Sequence, residues 1–219
     1  MDLETGRATS PYRPHRGLAL AAIVFIGGVV PSELFGKVAA LVPPDSAAGR
    51  LTVAWICLLS IFVFSLGSGI VFLTWLAGAY RNLPALGSTA RAIGPALEAT
   101  PSTAVWSFII PVVCWFRGRR VMRHLWRESQ PEPAVLADGT HLIPATPLVD
   151  WWYATWISSC LLGIVARTST NAEILSRASS FVAAVLCCMM VWRIEARQAA
   201  QMRDLQLRQP APPVVDNLR

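Results

Sequence analysis

The stretch "LTVAWICLLSIFVFSLGSGIVFLTWLAGA", residues 51–79, decides the class of this protein, because its 29 residues include no charged side chain. A helix needs about 20 mostly apolar residues to cross the roughly 30 Å hydrocarbon core of a bilayer. Trp55 and Trp75 are 20 residues apart, which in a helix is about 30 Å, so one should lie at each membrane interface. The stretch is therefore predicted to be a transmembrane helix.

Outside this stretch the chain keeps a membrane-like composition. It is 54% hydrophobic and only 15% charged, whereas about a quarter of the residues in soluble domains are charged. Three further runs are long enough to cross a bilayer: residues 18–42, 148–166 and 175–194. We therefore predict an all-α integral membrane protein with four transmembrane helices, and Pro31 should bend the first of them.

These spans form one transmembrane domain, residues 18–194, between an N-terminal tail, 1–17, and a C-terminal tail, 195–219. The tripeptide "VAA" at 38–40 resembles a signal-peptidase site, which would remove the first span. Glu33 and Lys37 interrupt the apolar run before that site, so an uncleaved span is preferred.

One apolar segment is too short to cross. Residues 104–116, "AVWSFIIPVVCWF", would extend about 20 Å as a helix, and Pro111 lies near their middle. We predict that this segment is re-entrant or lies in the membrane interface. The alternative is a fifth crossing.

The positions of the basic residues favour one orientation. With four spans and a cytoplasmic N-terminus, 15 of the 19 basic residues lie on the cytoplasmic side, as the positive-inside rule requires. Five spans with an outside N-terminus would place 12 there, and five spans with an inside N-terminus only 7. Since 18 of the 19 are arginine, which is typical of a GC-rich bacterial genome, we expect a bacterial inner-membrane protein with both termini cytoplasmic.

A basic amphipathic helix is predicted directly after the short segment, over residues 117–129, "RGRRVMRHLWRES". Helical spacing places Val121, Met122, Leu125 and Trp126 on one face and the arginines on the other. Such a helix lies on an anionic leaflet, with about 1 kcal/mol gained for each basic residue near the surface. The candidate lipid-facing or interaction residues here are Arg117, Arg119, Arg120, Arg123, Trp126 and Arg127.

A second candidate surface lies at "WLAGAYRNLPALG", residues 75–87, where the long apolar run ends. Tyr80 and Arg81 follow Trp75 at headgroup depth, where tyrosine and arginine are favoured. Pro84 disfavours continuation of the helix. Asn82 is not explained by a helix boundary, so we expect it to donate to backbone carbonyls freed near Pro111. Trp75, Pro84 and Pro111 are candidate structural residues.

These two motifs, with the later "WWYATW", resemble a bacterial membrane family catalogued as domain of unknown function number 4328. The family pattern is W-L-x-R-A-Y-R-N-L, then P-x-x-A-x-x-W-W-F-x-P-x-x-N-L-x-R-P, then V-M-x-x-L-W-R-x-S, and the resemblance covers roughly residues 50–195. The matching positions are Trp75, Leu76, Ala79, Tyr80, Arg81, Asn82, Leu83, Pro101, Ala104, Pro111, Arg117, Val121, Met122, Leu125, Trp126, Arg127 and Ser129.

The chain also departs from this pattern. Gly78 replaces a basic residue, Ser107, Phe108 and Ile109 replace an aromatic run, Cys114 replaces asparagine, and Gly118 replaces proline. A polar site that used the family's side chains at these positions is weakened here. The family has no assigned activity, so the resemblance supports a membrane protein and implies no reaction.

Catalytic and metal-binding patterns are missing from the sequence. The five cysteines lie in apolar runs without C-x-x-C spacing, and the three histidines are isolated. We therefore expect no enzyme, no metal and no cofactor, and the arginines serve as membrane anchors rather than as a nucleic-acid surface.

The class that remains is an interaction or membrane-organising protein with a basic cytoplasmic surface. Its expected partners are the bilayer, anionic lipid headgroups, and either a membrane protein or a second copy of the chain. A small-solute transporter or channel subunit is the alternative, although such proteins usually carry ionisable residues at mid-membrane depth. A membrane-embedded enzyme is less favoured.

Overall fold

The computed structural model describes residues 12–41, 47–86, 100–110, 113–129, 147–166 and 169–208, and within these ranges it contains helices and no strand. The helices are α1 (Arg16–Leu41), α2 (Ala47–Asn82), α3 (Pro101–Ile109), α4 (Arg119–Glu128), α5 (Pro147–Val165) and α6 (Thr170–Arg208). A 3₁₀ turn, Pro84–Leu86, follows α2, and a π-helical turn, Cys114–Gly118, leads directly into α4. The predicted all-α class is confirmed.

Three helical stretches are long and apolar enough to cross a membrane: Leu51–Leu86, Pro147–Val165 and Thr170–Arg208. They contain the predicted spans 51–79, 148–166 (to within one residue) and 175–194. The first predicted span, 18–42, coincides with α1, which runs without interruption through Pro31. The part of α1 whose side chains are described, Arg16–Ser32, is apolar but shorter than the three stretches named above.

The helices pack as two pairs that meet through α1. Helix α1 packs on α2, α5 packs on α6, and α1 also packs on α6. The two short helices complete one end, where α3 lies against α2, and α4 lies against α5.

Close packing of α1 on α2 depends on two glycines. A side chain at Gly28 would lie less than 3.0 Å from the Phe64 ring, and one at Gly67 less than 3.0 Å from the Phe25 ring. A phenylalanine ring of each helix thus packs directly against the backbone of the other helix at a glycine. The centroids of the two rings are 5.9 Å apart. Small residues at such crossings let membrane helices approach closely.

Other small residues of the helices differ in their surroundings. Gly69 of α2 faces open space and forms no tight contact. Ser159 and Gly163 do lie at a helix crossing, because the Ser176 hydroxyl of α6 donates to the Ser159 carbonyl of α5 at 3.0 Å and lies 3.5 Å from the Cβ position of Gly163.

The buried core is concentrated at one end of the bundle, which we call the packed end. It contains the start of α1, the end of α2, α4, the start of α5 and residues 187–198 of α6. Away from this end, large apolar side chains such as Leu58, Phe62 and Phe181 are more than half exposed. Exposed apolar side chains on long helices are the surface that a bilayer covers.

Two expectations about boundaries are corrected by this packing. Trp75 is fully buried in the core, so it packs against protein and does not anchor the helix at the interface, whereas Trp55 is 62% exposed. Residues 195–208 are not a separate tail, since α6 continues to Arg208 and buries Glu195 and Gln198.

Candidate functional site

The packed end joins the two family-like motifs through Tyr80. Its hydroxyl donates to the Val121 carbonyl of α4 at 2.7 Å, and its ring stacks on His124 with centroids 5.9 Å apart. Tyr80 is only 3% exposed. It is therefore a core residue that fixes α4 to α2, and the expectation that it faces lipid is wrong.

Asn82 ends α2 and holds the segment that precedes α1. Its side-chain amide donates to the Arg13 carbonyl at 2.8 Å, and its side-chain oxygen accepts the Arg13 backbone N–H at 3.2 Å. Asn82 is 2% exposed, so it too is not lipid-facing. Its expected partner was a carbonyl near Pro111; the structure gives it Arg13 instead, and Pro111 lies outside the described residues. The predicted end of α2 before Pro84 is confirmed.

Three polar side chains of α6 complete this end, and the sequence did not indicate them. Glu195 accepts the His15 backbone N–H at 3.1 Å. Gln198 donates to the Ala79 carbonyl at 3.2 Å and to the Ser129 hydroxyl at 3.0 Å, and Gln201 donates to the Leu86 carbonyl at 3.1 Å. Their spacing of three residues places them on one face of a helix, which is the signal that could have revealed them.

Helix α4 turns its apolar face into the protein rather than onto a leaflet. Val121, Met122, Leu125 and Trp126 are between 0% and 4% exposed, and the Arg197 guanidinium of α6 lies 4.2 Å from the centroid of the Trp126 ring. The prediction of a basic amphipathic helix is confirmed in its periodicity. The prediction that Trp126 faces lipid is wrong, because α6 covers the tryptophan.

Two of the α4 arginines are fixed by the start of α5. The Asp150 carboxylate accepts from Arg119 Nε at 2.9 Å and from Arg123 Nε at 2.8 Å, and it also pairs with Arg123 Nη2. The bond to Asp150 raises the pKa of Arg119 above its already high ordinary value. Partly exposed pairs of this kind stabilise by about 1 kcal/mol or less, so their main effect is to orient α4.

His124, which stacks on Tyr80 between α4 and α2, has a buried ring nitrogen. Within the described residues its Nδ1 has no hydrogen-bond partner. Burial, with a smaller contribution from Arg127, lowers the pKa of His124 below its ordinary value, while Glu128 opposes the shift. The imidazole is consequently neutral at physiological pH.

The remaining arginines of this region are exposed. Arg117 lies in the π-helical turn, and Arg120 and Arg127 lie on the side of α4 opposite its buried face. We call these three residues the arginine face. Residues 117 and 127 are separated by about 15 Å along a helix, so the face presents three charges over an extended, rigid surface. Arg81, which is also exposed, lies at the end of α2.

A cavity of about 420 Å³ lies beside the packed end, between α1, α2, α3, α5 and α6. Phe72, Phe108, Trp152 and Trp156 supply its aromatic walls, and Ser68 and Ser180 contribute hydroxyls. No charged side chain is among the described residues that line it. Likewise, no three His, Cys, Asp or Glu side chains come together as a potential metal site in the described part of the chain.

Comparison with known proteins gives one match. The model of the family described as "Domain of unknown function (DUF4328)" matches residues 39–196. No curated protein and no solved structure matches this chain. The matched range includes both sides of the Tyr80–Val121 contact.

Proposed function

The chain belongs to the DUF4328 family, and we propose that it is a multi-pass membrane protein that holds a partner at the cytoplasmic surface through the arginine face. The observation that carries the proposal is the burial of the apolar side of α4. A helix whose apolar side is occupied by its own protein is not available to insert into lipid. Its outward arginines then act as a fixed array of charge.

We propose that α1 is the fourth crossing and that the packed end is cytoplasmic. The density of basic residues near that end supports this orientation. The N-terminal segment, the end of α2, α4 and the start of α5 all meet there, which is the arrangement expected of four spans with both termini inside. The membrane is then the inner membrane of a bacterium.

In this orientation α3 and the following turn form a re-entrant segment. Phe108 of α3 contacts Phe72, ten residues before the end of α2, with centroids 5.5 Å apart. Gly118 is again close to α3, since a Cβ added to it would lie 3.4 Å from the Phe108 ring. Helix α4 then follows at the packed end. Trp106, Ile109 and Phe116 stay exposed and suit contact with lipid.

The partner that fits the arginine face is an acidic segment of another protein in or at the same membrane. Three arginines over about 15 Å match a short row of carboxylates, and arginine binds carboxylates in a planar, bidentate way. Such a contact is salt-sensitive and contributes mainly to specificity and association rate. The proposal includes no catalytic step and no cofactor or metal.

The test uses a photo-crosslinking residue at position 120 of the full chain in its native membrane. A protein adduct should form there, and it should weaken in the variant Arg117→Gln/Arg127→Gln. Position 62 on α2, which is exposed and apolar, serves as the lipid-facing control. The variant Arg203→Gln/Arg208→Gln removes two exposed arginines beyond the arginine face. The proposal fails if position 120 gives no protein adduct, or if both double variants weaken it equally.

A small-solute transporter or channel subunit is the second candidate, and the 420 Å³ cavity favours it. Its hydroxyls and aromatic walls suit an uncharged solute. Proteoliposomes containing the chain should then swell in glycerol faster than empty liposomes, and Ala184→Phe, at the cavity wall, should slow them. Equal swelling of filled and empty liposomes would eliminate this function.

A further inference from the structure

A second groove, of about 340 Å³, lies on the outside of the bundle where the start of α1, the last turns of α2, and α3 meet. Its polar end carries His15 and Arg81, and its apolar end carries Leu18, Leu73 and Val105. The groove is separate from the arginine face, since no α4 residue lines it.

The residues that line the groove change from polar to apolar along α2. Arg81 is one residue from the end of α2, whereas Leu73 is eight residues further into the helix, a distance of about 12 Å. The Arg81 guanidinium and the His15 imidazole therefore lie near the end of the helix, and apolar side chains follow toward its interior. A phospholipid has the same order of chemistry, with a phosphate at the surface and acyl chains below it.

The polar end is rigidly built. A Cβ at Gly78 would be 2.7 Å from Cδ2 and 2.8 Å from Nε2 of His15, so the imidazole occupies the space that a side chain at position 78 would take. The backbone that leads to His15 is held, because the His15 N–H donates to Glu195 and Arg13 is bonded to both side-chain groups of Asn82. The lack of a side chain at Gly78 is what admits the imidazole beside Arg81.

Basic residues outnumber acidic ones at this end. Arg13 and Arg16 are exposed on either side of His15, whereas Glu195, which accepts the His15 backbone N–H, is buried. Helix α1 also begins here, so its positive N-terminal dipole adds to the field of the arginines. Within the described residues Arg81 has no ion pair. The excess of positive charge makes this end of the groove complementary to an anion.

We propose that the groove binds one anionic phospholipid of the leaflet that surrounds the packed end. The phosphate contacts Arg81 and the His15 ring, and an acyl chain follows Leu18, Leu73 and Val105. A free phosphate ion would use only the polar end and would leave the apolar half without a partner. This inference shares the proposed membrane depth of α2 but does not depend on a protein partner at the arginine face.

The experiment is native mass spectrometry of the full chain purified in detergent and supplied with phosphatidylglycerol or phosphatidylcholine of identical acyl chains. The wild-type chain should retain one phosphatidylglycerol in preference to phosphatidylcholine. The variant His15→Gln/Arg81→Gln should lose about tenfold of that preference, since each basic contact near the surface contributes. The preference should survive in Arg117→Gln/Arg120→Gln/Arg127→Gln, which separates this site from the proposed function.

A blocking variant tests the apolar half independently. Thr74→Phe fills the groove and should reduce retention of both lipids, while Thr52→Phe is its matched control. Both threonines are exposed on α2 and both bond to a carbonyl four residues earlier, but only Thr74 lines the groove. Equal retention of the two lipids by the wild-type chain, unchanged retention in Thr74→Phe, or an equal loss in Thr52→Phe would overturn the proposal.

Discussion

Gly67 and Gly69 lie two residues apart on α2 and meet different surroundings, so alanine at each position isolates the packing of α1 on α2. Alanine improves helix propensity by up to about 1 kcal/mol at either site. At position 69 the new methyl meets nothing within 4 Å, so Gly69→Ala should be neutral or slightly stabilising. At position 67 it would meet the Phe25 ring at less than 3.0 Å.

The expected penalty at position 67 is that of an overpacked contact. Forcing an extra methyl into a well-packed site costs about 1–3 kcal/mol, and the ring cannot simply swing away because Phe64 lies beside it. For a protein of this size each kcal/mol shifts the melting temperature by roughly 2–4 °C. Gly67→Ala should therefore melt several degrees below Gly69→Ala.

Thermal unfolding of both variants in one detergent measures this difference. A third variant, Gly67→Ala/Phe25→Leu, removes part of the ring that the methyl meets. Its loss of stability should be smaller than the sum of the two single effects, because residues in contact are energetically coupled. Identical melting of Gly67→Ala and Gly69→Ala, or strict additivity in the double variant, would refute the proposed contact.

Four further outcomes are expected. Because burial lowers the pKa of His124, the unfolded chain binds the extra proton first as pH falls, so the chain should lose stability between pH 7.5 and 5.5; melting curves of His124→Gln should show a smaller loss, and an unchanged loss would assign the effect elsewhere. Asn82→Leu removes two bonds to Arg13 and should cost about 1–3 kcal/mol, measured as a lower melting temperature; no change would mean that the N-terminal segment is not held. Gln198→Leu leaves the Ala79 carbonyl and Ser129 hydroxyl without their donor and should destabilise by a similar amount, whereas the exposed Gln206→Leu should not; equal melting of the two would contradict the bond geometry. In single-cysteine variants, a membrane-impermeant thiol reagent applied from outside should label position 171 and not position 212, and the reverse pattern would invert the proposed orientation.

The long spans were predictable because hydropathy and length are local properties. Residues 51–79 and 148–166 differ from α2 and α5 by a few residues at most. The end of α2 before Pro84 was equally local, since proline restricts the residue before it.

What hydropathy could not supply was the surface against which an apolar residue packs. Trp75 and Trp126 were predicted to lie at the membrane interface, and both are buried in protein. An apolar side chain gains by leaving water whether its neighbour is lipid or another helix, so the two environments give the same sequence pattern. At Trp126 the extension of α6 past Ile194 distinguishes the two environments, because Arg197 lies over the tryptophan ring.

The hydrogen-bond partners of the polar residues could not be predicted from the sequence for a different reason. Asn82 bonds to a residue 69 positions away, and Gln198 to one 119 positions away. Side-chain chemistry indicated that Asn82 needs a partner, but the choice among distant carbonyls is made by the tertiary fold. The groove at His15 was likewise invisible, because it depends on the contact between the N-terminal segment and Gly78.

The bond from the His15 N–H to Glu195 spans 180 residues, and this has a consequence for biogenesis. A protein chain is synthesised from its N-terminus, so α1 and α2 are complete long before Glu195 leaves the ribosome. Until then Asn82 can hold the segment around Arg13, but the carbonyl of Ala79 lacks its bond from Gln198. The last helix therefore acts as the closing element of assembly, and a chain released before residue 195 would expose unfinished polar backbone that quality-control proteases can recognise.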